Sequence, residues 1–537
     1  MKKILILLLS VVFMLSLVFA GTGCKEAVDE VAEEVAEEVG EAAEEVEEAA
    51  EEVEEAAEEV EEEMMEEGGE ITISVEGDSE DWDPATQQLF LWQFRIGYNI
   101  YDSLCRLDEN LEIASQLAES WDISDDGTEY TFNLVKGVKF HDGSDFDAED
   151  VEYVLNRTKD PDTASYLGPV VNTITSIEVI DQNTIKVVVE KPNAAFLAGL
   201  STVKIYPKDF TDFVNPVGTG PFKFVEWTPN DKIVLEKNED YWIEGQPKLD
   251  RITYKVIPDF SVAITNMQAG EIDVITGLPP DFYETAQGIE GAEVQEPTFT
   301  TNFLNVEINT LGIEPLQDLN VRKALVHSLD KDAVQEVVYN GLGIQSWCLY
   351  PPGSIWYKDV GDYEYDLEKA KGFLEEAGYG DGFSFTAITP AGYPTLEGCL
   401  VVWQDSLREI GVEMNIEVLD ITVWVDKFIN GDFDMTTNIS SQSADPDQFL
   451  QVTYLNRLGQ TYEHPDGAQW IADAKATTDF DERKELYDKL YQEYFDDVAP
   501  QVVIHFEPIL LVKKSYVKDI FLNPQQQIRF GEAWLDQ

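Results

Sequence analysis

The chain has 537 residues, 106 acidic against 36 basic side chains, and a net charge of −70. Residues 71–537 alone hold 82 acids and 33 bases, a net of −49, which excludes nucleic acid and anionic membrane surfaces as partners. That segment is too long for one hydrophobic core and suits two or three domains.

In chain order, Lys2 and Lys3 precede an apolar run from Ile4 to Ala20 interrupted only by Ser10 and Ser16, the pattern of an export signal. Gly21-Thr22-Gly23-Cys24 follows and resembles a bacterial lipobox, which makes Cys24 the expected lipidation site and 1–24 a lipoprotein-type signal. An uncleaved anchor is the alternative, and either leaves the rest of the chain extracytoplasmic and membrane-anchored. Residues 25–70 are an acidic tether. Glu-Ala-Ala-Glu-Glu-Val-Glu repeats over 41–47, 48–54 and 55–61, giving a thin Ala/Val stripe on a heavily charged helix or fluctuating coil. As a helix, residues 25–67 would span about 65 Å at 1.5 Å per residue.

Beyond the tether, Ile71–Val75, Tyr130–Val135 and Thr184–Val189 alternate as strands. Phe222–Phe224 and Ile233–Leu235 form two more, broken at Thr228-Pro229-Asn230-Asp231. Helical spacing covers Asn320–Asn340 and Leu367–Ala377, the latter stopped by Gly378. The helix of Val401–Ile410 leads into the strand Met414–Val418. No further membrane-spanning run follows the signal. Cys105, Cys348 and Cys399 remain after lipidation, enough for one disulfide and an odd thiol.

The chemistry-bearing motifs are few. His141, His327, His464 and His505 show no metal-ligand pairing, and His141 precedes the turn pair Asp142-Gly143. Asp122–Asn133 superficially resembles a calcium loop but ends on Asn133 where a bidentate Glu is needed, so it reads as strand–turn–strand. Gly341-Leu342-Gly343 lacks the third glycine of a dinucleotide loop. No enzymatic motif, metal site or cofactor is expected. Eleven tryptophans and 22 tyrosines suit a ligand cleft, where flat rings supply apolar area and keep a donor. Trp403 and Trp424 lie on amphipathic helices and read as core. Trp82, Trp92, Trp347 and Trp356 lie near expected loops and are candidate ligand contacts.

Residues 216–242, from Pro216-Val217-Gly218-Thr219-Gly220-Pro221 through Tyr241-Trp242, resemble the extracytoplasmic solute-binding proteins of ABC importers, in the family with oligopeptide, dipeptide and nickel binders. Further blocks continue the resemblance across 71–537: Leu117–Trp121, Gly137–Gly143, Asn266–Asp273, Val321–Leu325, Tyr365–Ala370 and Gly431–Met435. It implies an α/β, bilobed periplasmic-binding-protein type II-like fold with an extra α/β domain on the discontinuous lobe. Lobe I would comprise 71–100, 203–306 and 508–537, the extra domain 101–202 and lobe II 307–507. The implied function is a receptor that hands a peptide-like or oligosaccharide solute to a permease and its ATPase. A glycosidase-like enzyme with two unspaced carboxylates, or a solute sensor without import, are the alternatives.

Peptide binders of the family hold the α-amino group with an aspartate just before a segment like Ala444-Asp445-Pro446-Asp447. Aligned on that segment, Gln442 takes the position and lacks the charge. The loop Thr389–Thr395, which includes Tyr393, corresponds to one that carries a carboxylate-binding arginine in dipeptide binders, and it has no base here. The resemblance therefore implies a solute not gripped by charged termini, with Tyr393 and Gln442 among the candidate contacts. On this alignment Gln442→Asp should strengthen amine-bearing ligands.

Overall fold

The computed structural model describes residues 68–78, 82–86 and 91–536. The export signal, Cys24 and almost all of the tether lie outside the described residues. Among the described residues no helix is long and apolar enough to cross a membrane.

Two large sheets organise the chain. In the first, Glu70–Val75 runs parallel to Arg251–Val256 on one side and Val274–Ile275 on the other. Lys232–Lys237 and Phe222–Thr228 extend one edge antiparallel, and Leu511–Lys514 and Ala292–Gln295 extend the other, making seven strands. Alternation along the strands gives the sheet two apolar faces. Ile71, Ile73, Val75, Val274 and Leu511 join one core, while Ile275, Leu510 and Val512 join another with Ala263, Ile264 and Met267.

The second sheet has six strands. Asn302–Ile308 sits near its centre, antiparallel to Gln501–Phe506 and Met435–Ser441. Phe383–Pro390 and Val412–Leu419 continue it in parallel pairing, and Ile344–Gln345 caps the opposite edge. Its faces are again apolar on both sides. Leu304, Val306 and Ile308 pack with Trp403 and Leu407, whereas Phe303, Val503 and Phe506 pack with Tyr350, Tyr454 and Tyr491. The chain passes between the two sheets twice, at residues 296–301 and again at 507–510. A separate four-stranded antiparallel sheet of Ala118–Ile123, Glu129–Leu134, Thr184–Val189 and Ile174–Asp181 carries the helix Ala148–Lys159. Asp122–Asn133 is thus the strand–turn–strand expected from its missing calcium ligand.

The segment 216–242 is a structural clasp. Asp102, buried beneath it, accepts from Thr219 Oγ1 and Trp242 Nε1 at 3.0 Å each and from Gln116 Nε2 at 2.6 Å. Asn238 Nδ2 donates to Gly220 O. Gly218 and Gly220 are required for close approach rather than for a left-handed turn. A Cβ on Gly218 would lie 2.1 Å from Ile100 O, and one on Gly220 2.6 Å from Ile100 C. His141 completes the clasp in its turn: Gly218 N donates to Nδ1 at 3.3 Å, and Nε2 lies 2.9 Å from Gly220 O. Burial pulls this imidazole down to about 4, so it serves in its neutral form.

Two expectations change. The single helix over 320–340 is two, Leu319–His327 and Lys331–Tyr339, because Asp330 caps the second by accepting from Ala333 N at 2.9 Å. The three cysteines form no disulfide; Cys105, Cys348 and Cys399 are buried thiols in three different cores.

Candidate functional site

Between the two sheets, where the chain crosses from one to the other, lies a cavity of about 300 Å³. The first sheet supplies one wall through Glu76, just past the end of its Glu70–Val75 strand, and through Arg95 on the helix Leu91–Ile100. The second supplies the other through Tyr339, Thr395, Ile439 and Glu507.

The first wall is electrostatically closed. Arg95, 3% exposed, donates from Nη1 to Glu76 Oε1 at 2.8 Å and to Thr276 Oγ1 at 3.2 Å, and from Nη2 to Gln526 Oε1 at 2.6 Å. Gly277, at φ +68°, runs against this pair, and a Cβ there would lie 2.2 Å from Glu76 Oε1.

The second wall is electrostatically open. Glu507 follows directly on the buried strand Gln501–Phe506. Its Oε1 accepts from the Tyr339 hydroxyl at 3.0 Å and from Thr395 Oγ1 at 3.5 Å. Among the described residues no basic side chain pairs with it. Burial pushes its carboxyl above the usual range, and the two hydroxyl donors only partly offset this. Tyr339 is fixed by stacking on His505, with ring centroids 4.0 Å apart. Thr395 lies in the first turn of the 16-residue helix Pro394–Glu409. A carboxylate held by two hydroxyls and lacking a counter-ion is suited to receive a cation, and an ammonium supplies both charge and donors.

The residues singled out from sequence lie elsewhere. Trp82 is wholly buried in the core of the first sheet. Trp92 lies on the helix Leu91–Ile100, and its side chain is outside the described residues. Trp347 donates to Asp362 Oδ1 at 2.6 Å and covers the Lys331 ammonium at 3.8 Å, lining a separate cavity of about 240 Å³. Trp356 donates to Ala444 O and packs on Phe480 and Tyr487. Tyr393 is 44% exposed at the start of the helix Pro394–Glu409, two residues from Thr395. Gln442 is 1% exposed and does not line the cavity. Its Nε2 donates to Leu349 O, its N to Thr301 O, and its carbonyl accepts from Gln525 Nε2. A charge placed there by Gln442→Asp would face the Leu349 carbonyl, so the substitution is expected to act on stability before ligand choice. Trp403 and Trp424 are buried, as read.

Arg95 and Glu507 were missed, although each carries a signal. Arg95 is the one charge in the apolar stretch Leu89–Tyr98, and Glu507 is the first charge after the buried strand Gln501–Phe506. A lone charge in or against an apolar element needs a partner or a ligand.

Residues 112–459 match the model of the bacterial extracellular solute-binding proteins, family 5. The chain belongs to that family. It is 27% identical over 497 residues to the glutathione-binding protein GsiB of Salmonella paratyphi A, covering 86% of this chain and 94% of that protein. It is 29% identical over 471 residues to the oligopeptide-binding protein AppA of Bacillus subtilis, covering 81% and 86%. Among solved structures, the periplasmic binding protein DppA of Helicobacter pylori in complex with the peptide STSA superposes with a TM-score of 0.73 at 30% identity, covering 89% of this chain and all of that one. The two-sheet, two-crossing architecture is therefore the family's bilobed fold, and the chain is an extracytoplasmic solute-binding protein of the ABC-importer type.

Proposed function

We propose that this family 5 receptor binds a peptide-like solute through a free ammonium group, which sits against Glu507 in the interlobe cleft. The observation that carries the reading is the Glu507 carboxylate, held by Tyr339 and Thr395 and facing the cavity without a cation. Relatives named for glutathione and oligopeptides, and a similar protein holding the peptide STSA, support an amine-bearing solute over an oligosaccharide. An oligosaccharide offers no positive charge to Glu507, whereas an ammonium matches it with a charge-assisted hydrogen bond. The lobes close over the solute and present a joint surface to the permease. Residues 1–24 direct export, Cys24 carries the lipid, and 25–70 space the receptor from the membrane.

A thermal-shift screen of tri- to pentapeptides, glutathione and neutral oligosaccharides tests the solute class. Ligand at 100-fold excess over its Kd stabilises the folded state by about 2.7 kcal/mol. A shift with peptides and none with sugars supports the reading; shifts with sugars alone refute it.

A further inference from the structure

Away from the cleft, at the other end of the Asn302–Ile308 strand, three side chains converge. His464 immediately precedes the helix Pro465–Ala476, and Glu493 and Asp497 occupy successive turns at the end of the helix Phe480–Asp497. Each offers one ligand atom, and these atoms lie within 4.8 Å of one another. Among the described residues no other such group of His, Cys, Asp and Glu occurs. Asn302 lines the solute cavity while Thr310, eight residues on and beyond the strand's far end, bonds Thr461 next to the Tyr462 of this cluster, a separation of about 26 Å at 3.3 Å per residue.

Three observations show that this cluster is incomplete as it stands. Glu493 is 9% exposed, and its Oε2 is buried with no hydrogen-bond partner. His464 Nδ1 lies 2.7 Å from Glu493 Oε1, yet it is not aligned to hydrogen bond with it. The buried Tyr462 hydroxyl lies 2.9 Å from both Glu493 Oε1 and Asp497 Oδ2, but it has one proton to give. Two carboxylates at a helix C-terminus, with no basic residue in its last turn, also oppose the helix dipole. A cation among these atoms answers all of these at once.

We propose that His464, Glu493 and Asp497 bind one divalent transition-metal ion of the zinc class, which cross-links the start of the helix Pro465–Ala476 to the end of the helix Phe480–Asp497. An imidazole with two carboxylates favours such an ion over calcium or magnesium, which prefer all-oxygen shells. Three protein ligands leave a position for water, and His464, 31% exposed, opens the site to solvent. The ion acts as a brace independent of solute, since the cleft lies at the opposite end of the sheet.

The test is calorimetric titration of the chelator-stripped full-length chain with Zn²⁺, then with Ca²⁺. One Zn²⁺ per chain, a raised thermal midpoint, and binding weakened more than about tenfold by His464→Gln and by Asp497→Asn are expected. Both variants keep the acidic tether, so equal binding by wild type and variants would place the ion on the tether and overturn the proposal. So would an absence of saturable Zn²⁺ binding, or tighter binding of Ca²⁺. Should a variant fail to fold, Co²⁺ in the wild type gives a second reading. The strong visible absorption of a four- or five-coordinate site supports the proposal, and the weak absorption of octahedral Co²⁺ overturns it.

Discussion

Lys331 shows how much one buried charge can set. It is 7% exposed, its Nζ donates to Ser346 O and Val503 O, and the Trp347 ring covers it. Burial pulls its ammonium down to about 7, whereas in the unfolded chain it titrates near its ordinary value of about 10.4. Between those values the unfolded state holds the extra proton, so this group makes stability rise with pH across that window and leaves a constant penalty below it. Lys331→Met removes the penalty. Its advantage over wild type should be larger at pH 7 than at pH 10, by roughly 1–3 kcal/mol in urea unfolding. An advantage independent of pH would mean that the ammonium is solvated. Individual roles of this kind were the least legible part of the sequence. Trp347 reads as a ligand contact because it stands near loop residues, but only tertiary packing places it over Lys331. Trp356 likewise reads as a ligand contact near a loop, but Phe480 and Tyr487, more than 120 residues away, close over it. Glu507 was legible in principle, as a charge at the end of a wholly buried strand.

Elements were read more accurately, because their signals are local. Thr184–Val189 forms the strand expected from its alternation, and Leu367–Glu376 ends beside Gly378 at φ +84°. The one helix that split did so at a cap. Asp330 follows Ser328-Leu329 and turns the chain by accepting from Ala333 N, which a helical apolar period does not reveal. Asp330→Ala should lower stability by about 1 kcal/mol through the lost N-cap, read as a shifted denaturation midpoint at unchanged slope. No change would show that Lys331–Tyr339 is held by packing alone. The Glu493 and Asp497 pair was also legible, as an acidic i, i+4 pair on one helix face. Its third member, His464, stands just before the start of a different helix, and sequence spacing gives no sign of it.

At the scale of the whole molecule, the family resemblance rests on residues that build rather than bind. The segment 216–242 clasps Asp102 and Ile100, away from the cleft. That is why it identifies the fold and is silent on the solute. On the proposed reading, solute choice rests instead on the cavity between the two sheets, with the ion-paired Arg95 and Glu76 on one wall and Glu507, without a basic partner, on the other. The decisive measurement is calorimetry at pH 7 of a peptide that the receptor binds and of its N-acetylated form, on wild type and on Glu507→Gln. Acetylation should weaken binding to wild type by about ten- to hundredfold, the worth of about 1.5–3 kcal/mol for a charged hydrogen bond, and should change little in the variant. Wild-type affinity for the free peptide should also fall as the pH is lowered through the raised range of Glu507, because only the ionised carboxylate attracts the ammonium. Equal affinities of wild type for the free and acetylated peptides, or an unchanged penalty for acetylation in Glu507→Gln, would contradict the assignment of Glu507 as the ammonium site.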